Sequence, residues 1–435
     1  MSGYHDNNNS STKRNGKDST IEPGIHMEYS LEQLKETLRS GVYSLCTAVG
    51  MTVVYKLMEE DVTALVGPKG KHSINRIGYR HGIEEASIVL GGQRVTIKRP
   101  RVRSKDGKEE LPIETYEVAK QDDILFKITL ARLLNGLSTR SYNQGQEALP
   151  EELKCHGASK SSVSRRFTQA AQGELNRLMS RRFDSLGITA LLLDSVEFAG
   201  KAVMVAMGID QNGTKHILGI RLGATENAVV CKDLLADLVE RGVDGEEGLL
   251  AIIDGAKALH SALKTVYGER VLIQRCQVHK KRNVLDYLSK EQRPLVNRQL
   301  NKAWAMHDFG EATQALKGLA TQLEMQYPDA AASLREGLEE TCTVMRLDIS
   351  GILQKSLSTT NAIESAFDAV RTRTRNVKRW QNGNMIKCWV AAGLLASEER
   401  FSKIKGYKEI QKLRAAIRRL TVDKMKTEVN ESKTA

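Results

Sequence analysis

The sequence lacks the features that would direct it to a membrane or out of the cell. No apolar run reaches the roughly 18 residues that a membrane-spanning helix needs. Residues 1–27 are polar and contain no apolar segment of the kind found in secretory leaders. The six cysteines are scattered, and no C-x-x-C pair indicates a zinc ribbon or a thioredoxin motif. We therefore expect a cytoplasmic protein with reduced thiols and no membrane partner.

What the chain has in excess is positive charge. Lys and Arg number 65 against 53 Asp and Glu, which gives a formal net charge of +12. Such a balance favours a polyanionic partner, although many soluble proteins are equally basic. With 435 residues the chain is long enough for two or three domains.

The N-terminal part is predicted to contain a polar arm, helices and a hairpin. Residues 1–28 have too few apolar side chains to offset the entropy of ordering, so they are predicted to be a disordered arm. Apolar residues at spacings of three and four from Leu31 to Leu65 predict one or two helices. Alternation from Ser87 to Val102, interrupted by Gly91-Gly92, predicts a β-hairpin.

The predicted hairpin is rich in positive side chains, namely Arg94, Lys98, Arg99, Arg101, Arg103 and Lys105. They would suit a surface that contacts DNA phosphates. A solvated edge strand, on which lysine and arginine discourage aggregation, explains the pattern equally well.

Short helices are predicted between Asp123 and Phe183, one opening at Ser138 and another at Ser159, a good N-cap residue. The second helix would bury the stripe Val163, Phe167 and Ala171. Its exposed face would then carry Ser162, Arg165 and Arg166. These side chains suit phosphate and base-edge contacts in a major groove, which predicts a helix-turn-helix-like DNA-binding region. An ordinary amphipathic helix is the alternative.

From Ile188 the pattern changes to strands in the order β-β-β-α-β-α-β, which is the order that an RNase H-like mixed sheet requires. The predicted strands are 190–193, 202–209, 216–222, 249–253 and 271–273, and the predicted helices between them are 227–241 and 256–266. After Cys276 the chain is predicted to be helical from Lys280 to Met345 and again from Thr359 to Leu420. The first of these stretches has the character of an all-helical insertion.

Two aspartates follow apolar strands, Asp194 after Leu191–Leu193 and Asp254 after Leu250–Ile253. Carboxylates at a rigid sheet edge could share a hard divalent cation such as Mg²⁺, which prefers oxygen ligands. An aspartate that ends a strand is also a common turn or cap residue. Both interpretations are open on the pattern alone.

Glu364 is the third acidic candidate, on a helix that Thr359 or Thr360 can cap. Its buried stripe would be Ile363, Phe367 and Val370. On roughly the same face as Glu364 follow Asp368, Arg371 and Arg375. Such a helix could hold a metal and lead DNA phosphates to it, and an intrahelical ladder of salt bridges is the alternative.

Several ordered motifs resemble the signatures of bacterial Mutator-type (MuDR-related) insertion-sequence transposases of the DDE class. They are Gly91–Val95, Gly136–Arg140, Asp254–Ala256, Gln274–Val284, Thr359–Ser365 and Arg371–Trp380. The resemblance covers roughly Gly78 to Tyr407. Long ordered motifs of this kind are far more specific than any single carboxylate.

The resemblance implies an α/β protein whose RNase H-like core is interrupted by the helical insertion, with Asp194, Asp254 and Glu364 as catalytic and metal-binding triad. Two Mg²⁺ (or Mn²⁺) ions about 4 Å apart are implied at such a triad. The family commonly has glycine after its first aspartate, whereas this chain has Ser195. The implied activity is cleavage and joining of DNA at terminal inverted repeats and target DNA by at least a homodimer, associated with the nucleoid.

Further roles follow from the same resemblance. Basic residues would grip DNA near the chemistry, namely Arg371, Arg375, Lys378 and Arg379. Cys276 and His279 match a C-x-x-H pair at the start of the insertion, and a structural role near the active site is expected because two ligands do not complete a tetrahedral zinc site. Trp304 could stack on an unpaired base, with a core tryptophan as the alternative.

The predicted regions are 1–28 (disordered arm), 29–122 (helical and β-hairpin region), 123–186 (helix-turn-helix-like DNA-binding region), 187–279 (first part of the core), 280–356 (helical insertion), 357–405 (second part of the core) and 406–435 (basic helix and tail). Two other functions share these features. One is a nuclease on the same fold that does not join strands, and the other is a DNA-binding regulator without catalysis.

Overall fold

The computed structural model describes residues 31–421 apart from 40, 72–73, 147–148, 150–152, 154, 224–226 and 350. The predicted arm at 1–28 and the end of the predicted tail at 422–435 lie outside the described residues. The chain forms two compact units, Met1–Leu125 with Gln146–Ala158, and Phe126–Gly145 with Ser159–Ala435. The stretch 123–186, which was predicted as one region, is therefore divided between both units.

The first unit packs a long helix on a hairpin. Its elements are α1 (Leu31–Arg39), α2 (Val42–Val66), β1 (Gly78–Leu90), β2 (Gln93–Ser104), β3 (Glu110–Leu111), α3 (Glu114–Ala119) and β4 (Cys155–His156), and the chain leaves the unit within α4 (Asp123–Leu134). Strands β1 and β2 are antiparallel, with Leu90 opposite Gln93. Gly91 and Gly92 both have positive φ, as a two-residue turn that follows strand twist requires. The predicted hairpin and helices are confirmed.

The positive charge of the hairpin is partly neutralised inside this unit. Arg94 pairs with Asp122 at 2.7 Å, and Arg101 pairs with Glu110 of β3 at 2.6 Å. Arg99 lies between Glu110 and Glu84 of β1. The acidic partners lie outside the basic stretch of sequence, so the local sequence alone did not show that its positive charge is partly neutralised. These ion pairs favour the solvated-strand interpretation over a bare phosphate-binding surface.

The second unit is built on a five-stranded mixed sheet. Its strands are β5 (Ala190–Phe198), β6 (Lys201–Ile209), β7 (Lys215–Gly223), β8 (Leu249–Ile253) and β9 (Val271–Arg275). They lie in the order β7-β6-β5-β8-β9, in which the first three are antiparallel and β8 and β9 run parallel to β5. The predicted succession of strands is confirmed. The sheet buries apolar side chains on both faces, which is why β8 is apolar at every position.

Helices cover the sheet and fill the rest of the unit. They are α5 (Lys160–Ser180), α6 (Ala228–Glu240), α7 (Lys257–Tyr267), α8 (Gln277–Asp286), α9 (Arg293–Trp304), α10 (Phe309–Glu324), α11 (Pro328–Arg335), α12 (Thr343–Arg346), α13 (Gly351–Leu357), α14 (Asn361–Thr374), α15 (Gly383–Glu398) and a helix at 410–421. Leu234 and Leu238 of α6 and Leu263 of α7 pack on the sheet in one core cluster. The helical run predicted after Cys276 is confirmed, with breaks around 375–382 and 399–406.

Helix α5 belongs to the core of the second unit. Ser159 caps it through Ser162 N–H at 3.2 Å, and the predicted stripe Val163, Phe167 and Ala171 is buried. The Phe167 ring stacks on Trp389 of α15 with centroids 4.0 Å apart. The helix predicted to open at Ser138 is wrong, because 139–142 are turns followed by a single 3₁₀ turn at Asn143–Gly145.

A helix-turn-helix joins two helices by a turn of about three or four residues. Here α4 ends at Leu134 and α5 begins at Lys160, with β4 between them. The predicted helix-turn-helix arrangement is therefore wrong for this pair of helices. DNA contact through the outer face of α5 stays a prediction.

The helices from α8 to α12 have a core of their own, and buried polar side chains tie them to one another and to the sheet. Lys280 on α8 is 2% exposed, and its Nζ donates to the carbonyl oxygens of Ser333 at 2.6 Å and Glu336 at 2.7 Å. Gln274 on β9 donates to the Thr341 carbonyl at 2.8 Å. The Lys280 bonds hold α8 against the end of α11, and the Gln274 bond fixes the helical region against the strand that precedes it.

Candidate active site

Asp194 lies inside β5, so its predicted place at the end of a strand is wrong. The parallel pairing of β5 with β8 ends at Leu193 opposite Ile253, but the antiparallel pairing with β6 continues to Phe198 opposite Lys201. Asp194 is thus the first residue of β5 after the pairing with β8 ends. The backbone stays rigid through β6 while the β8 side of the strand opens.

Asp254 occupies the equivalent place on β8, directly after Ile253. Its Oδ1 accepts a hydrogen bond from the N–H of Ala256 at 2.9 Å, which orients the carboxylate at the turn. Gly255 makes this turn at φ 107°, and a Cβ there would lie 3.2 Å from Nη1 of Arg275. Both the backbone conformation and the space available therefore favour glycine at position 255. Register brings Asp194 and Asp254 to the same sheet edge.

Glu364 lies in the first turn of α14. Its Oε1 accepts a 2.6 Å hydrogen bond from the hydroxyl of Thr360, a residue with no exposed surface. Thr360 is the N-cap residue, as predicted, but its side chain makes no capping bond to the helix backbone. The hydroxyl orients the acidic side chain instead, a role that the sequence pattern does not predict.

Cys276 and His279 lie beside Glu364 at the start of α8. The Cys276 sulfur is fully buried and lies 3.4 Å from both the amide nitrogen and the hydroxyl of Thr360. Nδ1 of His279 lies 3.4 Å from the Thr360 hydroxyl and 3.9 Å from Oε1 of Glu364. Donor atoms of Cys276, His279 and Glu364 all lie within 4.8 Å of one another.

Asp254 and Glu364 both lie close enough to Asp194 for their charges to affect its ionisation. Burial, together with the negative charges of Asp254 and Glu364, raises the pKa of Asp194 to about 7, against the lowering effect of the Ser195 N–H and His279. The hydrogen bond with Cys276 and the charges of Cys276, Asp194 and Glu364 raise the pKa of His279 to about 9. Burial opposes the ionisation of Cys276, but hydrogen bonds from His279 and Thr360 give its thiol a lowered pKa.

A divalent cation fits the chemistry of this donor set. Asp194 is 9% exposed, and its ionisation is penalised by burial and by two other carboxylates, a penalty that a bound cation would relieve. Carboxylate oxygens are the ligands that Mg²⁺ and Mn²⁺ prefer. Asp194, Asp254 and Glu364 are therefore the residues suited to hold such ions.

The basic segment after α14 is anchored near the open end of β5. Trp380 packs against Phe198 with ring centroids 5.7 Å apart, and Phe198 lies four residues beyond Asp194, about 13 Å along an extended strand. The exposed predicted DNA contacts here are Arg375, Lys378 and Arg379. Arg371 is exposed too but pairs with Asp368 at 2.9 Å, as the salt-bridge alternative predicted for this one pair.

The remaining predicted DNA contacts differ in exposure. On α5, Arg165 is exposed, and Ser162 and Arg166 are half-buried. Trp304 is 7% exposed within the core of the helical region, and its Nε1–H donates to Thr341 Oγ1 at 3.1 Å. The indole is packed and hydrogen-bonded, as the core alternative predicted, and the stacking role of Trp304 stays a prediction.

The fold and the site together define an α/β protein whose acidic site lies where the parallel pairing of two inner strands of a mixed sheet ends. A model of the Mutator family of transposases matches residues 25–403. The chain belongs to this family, as its motifs predicted. It is 28% identical to the transposase for insertion sequence element ISRM5 of Rhizobium meliloti, over 83% of this chain and 90% of that protein. It is 25% identical to the transposase for IS256 in transposon Tn4001 of Staphylococcus aureus, over 85% of this chain and 95% of that protein.

None of the helices within the described residues combines the length and the apolar character needed to cross a membrane.

Proposed function

We propose that this transposase is a DDE-type enzyme on an RNase H-like core, which cuts and joins DNA at the ends of an insertion sequence with Asp194, Asp254 and Glu364 as its catalytic carboxylates. The observation that carries the proposal is the register at the sheet edge. Asp194 and Asp254 directly follow the last paired residues, Leu193 and Ile253, of two adjacent parallel strands. The strand order β7-β6-β5-β8-β9 is the order expected of an RNase H-like sheet.

Two Mg²⁺ or Mn²⁺ ions held by these carboxylates would supply charge stabilisation and an activated oxygen nucleophile for phosphodiester cleavage. The protein's own contribution is to hold its ligands in place. The rigid β5–β6 pairing positions Asp194, the Ala256 N–H orients Asp254, and the Thr360 hydroxyl orients Glu364.

Such chemistry requires no covalent protein intermediate, so no serine or tyrosine nucleophile is expected to be essential. A water molecule would first attack at the terminus of the element and free a 3′-hydroxyl. That hydroxyl would then attack the phosphorus of a second phosphodiester in the same site, forming a new ester bond and displacing the 3′-oxygen of the attacked strand as a hydroxyl. Exposed Arg375, Lys378 and Arg379 would hold the DNA backbone beside the carboxylates and make binding strongly dependent on salt.

The expected partners are the terminal inverted repeats and the target DNA. Because two ends must be brought together, we expect the active form to be at least a homodimer. The two relatives support an insertion sequence as the DNA substrate, since both are named as transposases for insertion sequences.

The test is a cleavage and joining assay on a labelled duplex that bears the element's own end. Wild type with Mg²⁺ is compared with Asp254→Asn and Glu364→Gln, and with Asp244→Asn as matched control. Asp244 precedes β8, whereas Asp254 follows it, and Asp244 is exposed. We expect nicking and joining by wild type and Asp244→Asn, and loss of both in the other two variants with end binding retained.

Two other outcomes identify the competing functions. Nicking without joining would identify a nuclease on the same fold. End binding by wild type without any metal-dependent cleavage would identify a DNA-binding regulator and contradict the proposal.

A further inference from the structure

Beside the carboxylate site lies a second donor set of different chemistry. Cys276 offers a sulfur, His279 an imidazole nitrogen and Glu364 a carboxylate oxygen, all within 4.8 Å of one another. The first two belong to the start of α8, and Glu364 belongs to α14. No local stretch of sequence contains this set, because more than 80 residues separate its halves.

The donor set is buried on the cysteine side and partly exposed on the side of the other two ligands. Cys276 has no exposed surface, whereas the side chains of His279 and Glu364 are 23% and 35% exposed. A cation could therefore enter from the His279 and Glu364 side and meet the sulfur at the base of the site.

The donor atoms match zinc better than magnesium. Zn²⁺ binds cysteine sulfur, histidine nitrogen and carboxylate oxygen in a tetrahedral arrangement. Mg²⁺ takes oxygen ligands almost exclusively. Three protein ligands leave one position of a tetrahedral zinc ion free, as in zinc sites that exchange a water or another ligand.

Thr360 is a second observation that points to a metal-binding arrangement. Its amide N–H and its hydroxyl both face Cys276 Sγ at 3.4 Å. The same hydroxyl lies 2.6 Å from Glu364 Oε1 and 3.4 Å from His279 Nδ1. A single buried residue thus contacts all three ligands, and such hydrogen-bonding neighbours orient metal ligands in proteins.

We propose that Cys276, His279 and Glu364 bind one Zn²⁺, or a similar borderline-soft divalent cation, and that this ion competes with the catalytic ions for Glu364. The binding site stands on the geometry of the three ligands alone. The competition rests on the proposed function, because it assigns Glu364 to the catalytic carboxylates. Zinc would then inhibit DNA cleavage even in excess Mg²⁺.

The binding is tested on the full-length protein without DNA, with Co²⁺ as the spectroscopic probe for the zinc site. We expect the intense visible bands of tetrahedral cobalt and a near-ultraviolet thiolate band, both displaced by one equivalent of Zn²⁺. Cys276→Ser should remove the thiolate band, and Glu364→Gln should weaken Co²⁺ binding at least tenfold. Cys46→Ser is the control, since Cys46 is an exposed thiol in the other unit, and it should leave the spectrum unchanged.

Other spectra would overturn the site. A cobalt complex without a thiolate band, or a band that survives Cys276→Ser but disappears in Cys46→Ser, would place the metal elsewhere. Glu364→Gln guards against misfolding as an explanation, because it removes a ligand without emptying the buried position of Cys276. An unchanged Co²⁺ affinity in that variant would exclude Glu364 as a ligand.

The competition is tested separately by titrating Zn²⁺ into the Mg²⁺-dependent nicking reaction. We expect inhibition over the same zinc range that displaces Co²⁺ from the protein. Zinc binding without inhibition would overturn the sharing of Glu364 while leaving the binding site intact. Absence of nicking at any zinc concentration would count against the proposed function, whereas the cobalt spectrum would still decide the zinc site.

Discussion

Replacement of Asp194 by asparagine is expected to stabilise the metal-free protein at alkaline pH. The carboxyl is 9% exposed, and burial raises its pKa from 3.8, the ordinary value, to about 7. Its ionised form is therefore less favourable in the folded protein than in the unfolded chain. Asparagine keeps an oxygen that can accept the 2.8 Å bond from the Ser195 N–H and removes the charge.

The size of the effect follows from linkage between protonation and folding. One pKa unit corresponds to about 1.4 kcal/mol, so the interval between 3.8 and about 7 gives an upper limit of roughly 4 kcal/mol. Because the pKa of this acid is higher in the folded protein than in the unfolded chain, its ionisation lowers the stability of the folded protein. The penalty is fully present above pH 7, falls as the pH is lowered and vanishes below the unfolded-state pKa.

Thermal unfolding in EDTA at pH 8 and at pH 5 measures this difference. In a large domain 1 kcal/mol of stability corresponds to roughly 2 °C in the unfolding temperature. Asp194→Asn should therefore raise the midpoint of thermal unfolding at pH 8 by at most about 8 °C. At pH 5 the increase should be less than half as large. Mg²⁺ should raise the midpoint of wild type more than that of the variant. A variant that is less stable than wild type at pH 8, or a gain that is independent of pH, would refute the reasoning.

Asp210→Asn is the matched control, a buried aspartate of the same sheet region. It accepts hydrogen bonds from the N–H groups of Asn212 and Thr214 at 2.8 Å each and lies 3.1 Å from His216 Nε2. Asparagine keeps one oxygen for the two N–H donors but replaces the oxygen that faces His216 and removes the charge, so this change should destabilise the protein by about 1–3 kcal/mol.

Three further predictions concern positions around the site. Lys280→Met removes the two hydrogen bonds that the buried Lys280 ammonium donates to carbonyl oxygens, and it should cost about 2–4 kcal/mol in urea unfolding. Lys281→Met on the next, half-buried position should cost little; equal losses would contradict the role given to Lys280. Thr360→Val should lower the Mg²⁺-dependent nicking rate and raise the Mg²⁺ concentration that gives the half-maximal rate by roughly 10- to 100-fold, because Glu364 loses its hydrogen-bond donor. Thr360→Ser keeps the hydroxyl and should restore both quantities. A serine variant as weak as the valine variant would indicate that Thr360 acts by packing and not by hydrogen bonding. Lys378→Ala and Arg379→Ala should each reduce the slope of log binding constant against log salt by about 1, and unchanged slopes would exclude these side chains from phosphate contact.

Much of the second unit's fold was predictable because its pattern is local. The strand β8 is apolar at every position and ends in Asp254-Gly255, and α5 carries a clear apolar stripe behind a serine cap. The helix predicted at Ser138 was wrong because the chain there forms turns, in which Ser138 and Ser141 bond each other through their hydroxyls at 2.7 Å. Serine favours turns and helix caps alike, so spacing alone did not separate them.

The candidate site was predictable in its acidic residues but not in what surrounds them. Asp194, Asp254 and Glu364 follow from apolar strands, a helix and the family motifs. Thr360 was missed as an orienting residue, although its position four residues before Glu364 on one helix face is a usable signal. The approach of Cys276 to Thr360 spans 84 positions and depends on how α8 and α14 pack, which no local pattern contains. Arg99 and Arg101 of the hairpin show the same limit, since their acidic partners Glu84 and Glu110 lie on neighbouring strands.

The central claim, that the carboxylates act by holding a divalent metal, is tested most directly by changing the metal preference of one of them. Asp254→Cys replaces an oxygen ligand by sulfur, which Mg²⁺ binds poorly and the softer Mn²⁺ accepts better. We predict that this variant binds the element's end like wild type, fails to nick it in Mg²⁺ and regains nicking in Mn²⁺. Equal nicking by the variant in both metals would contradict metal binding by Asp254.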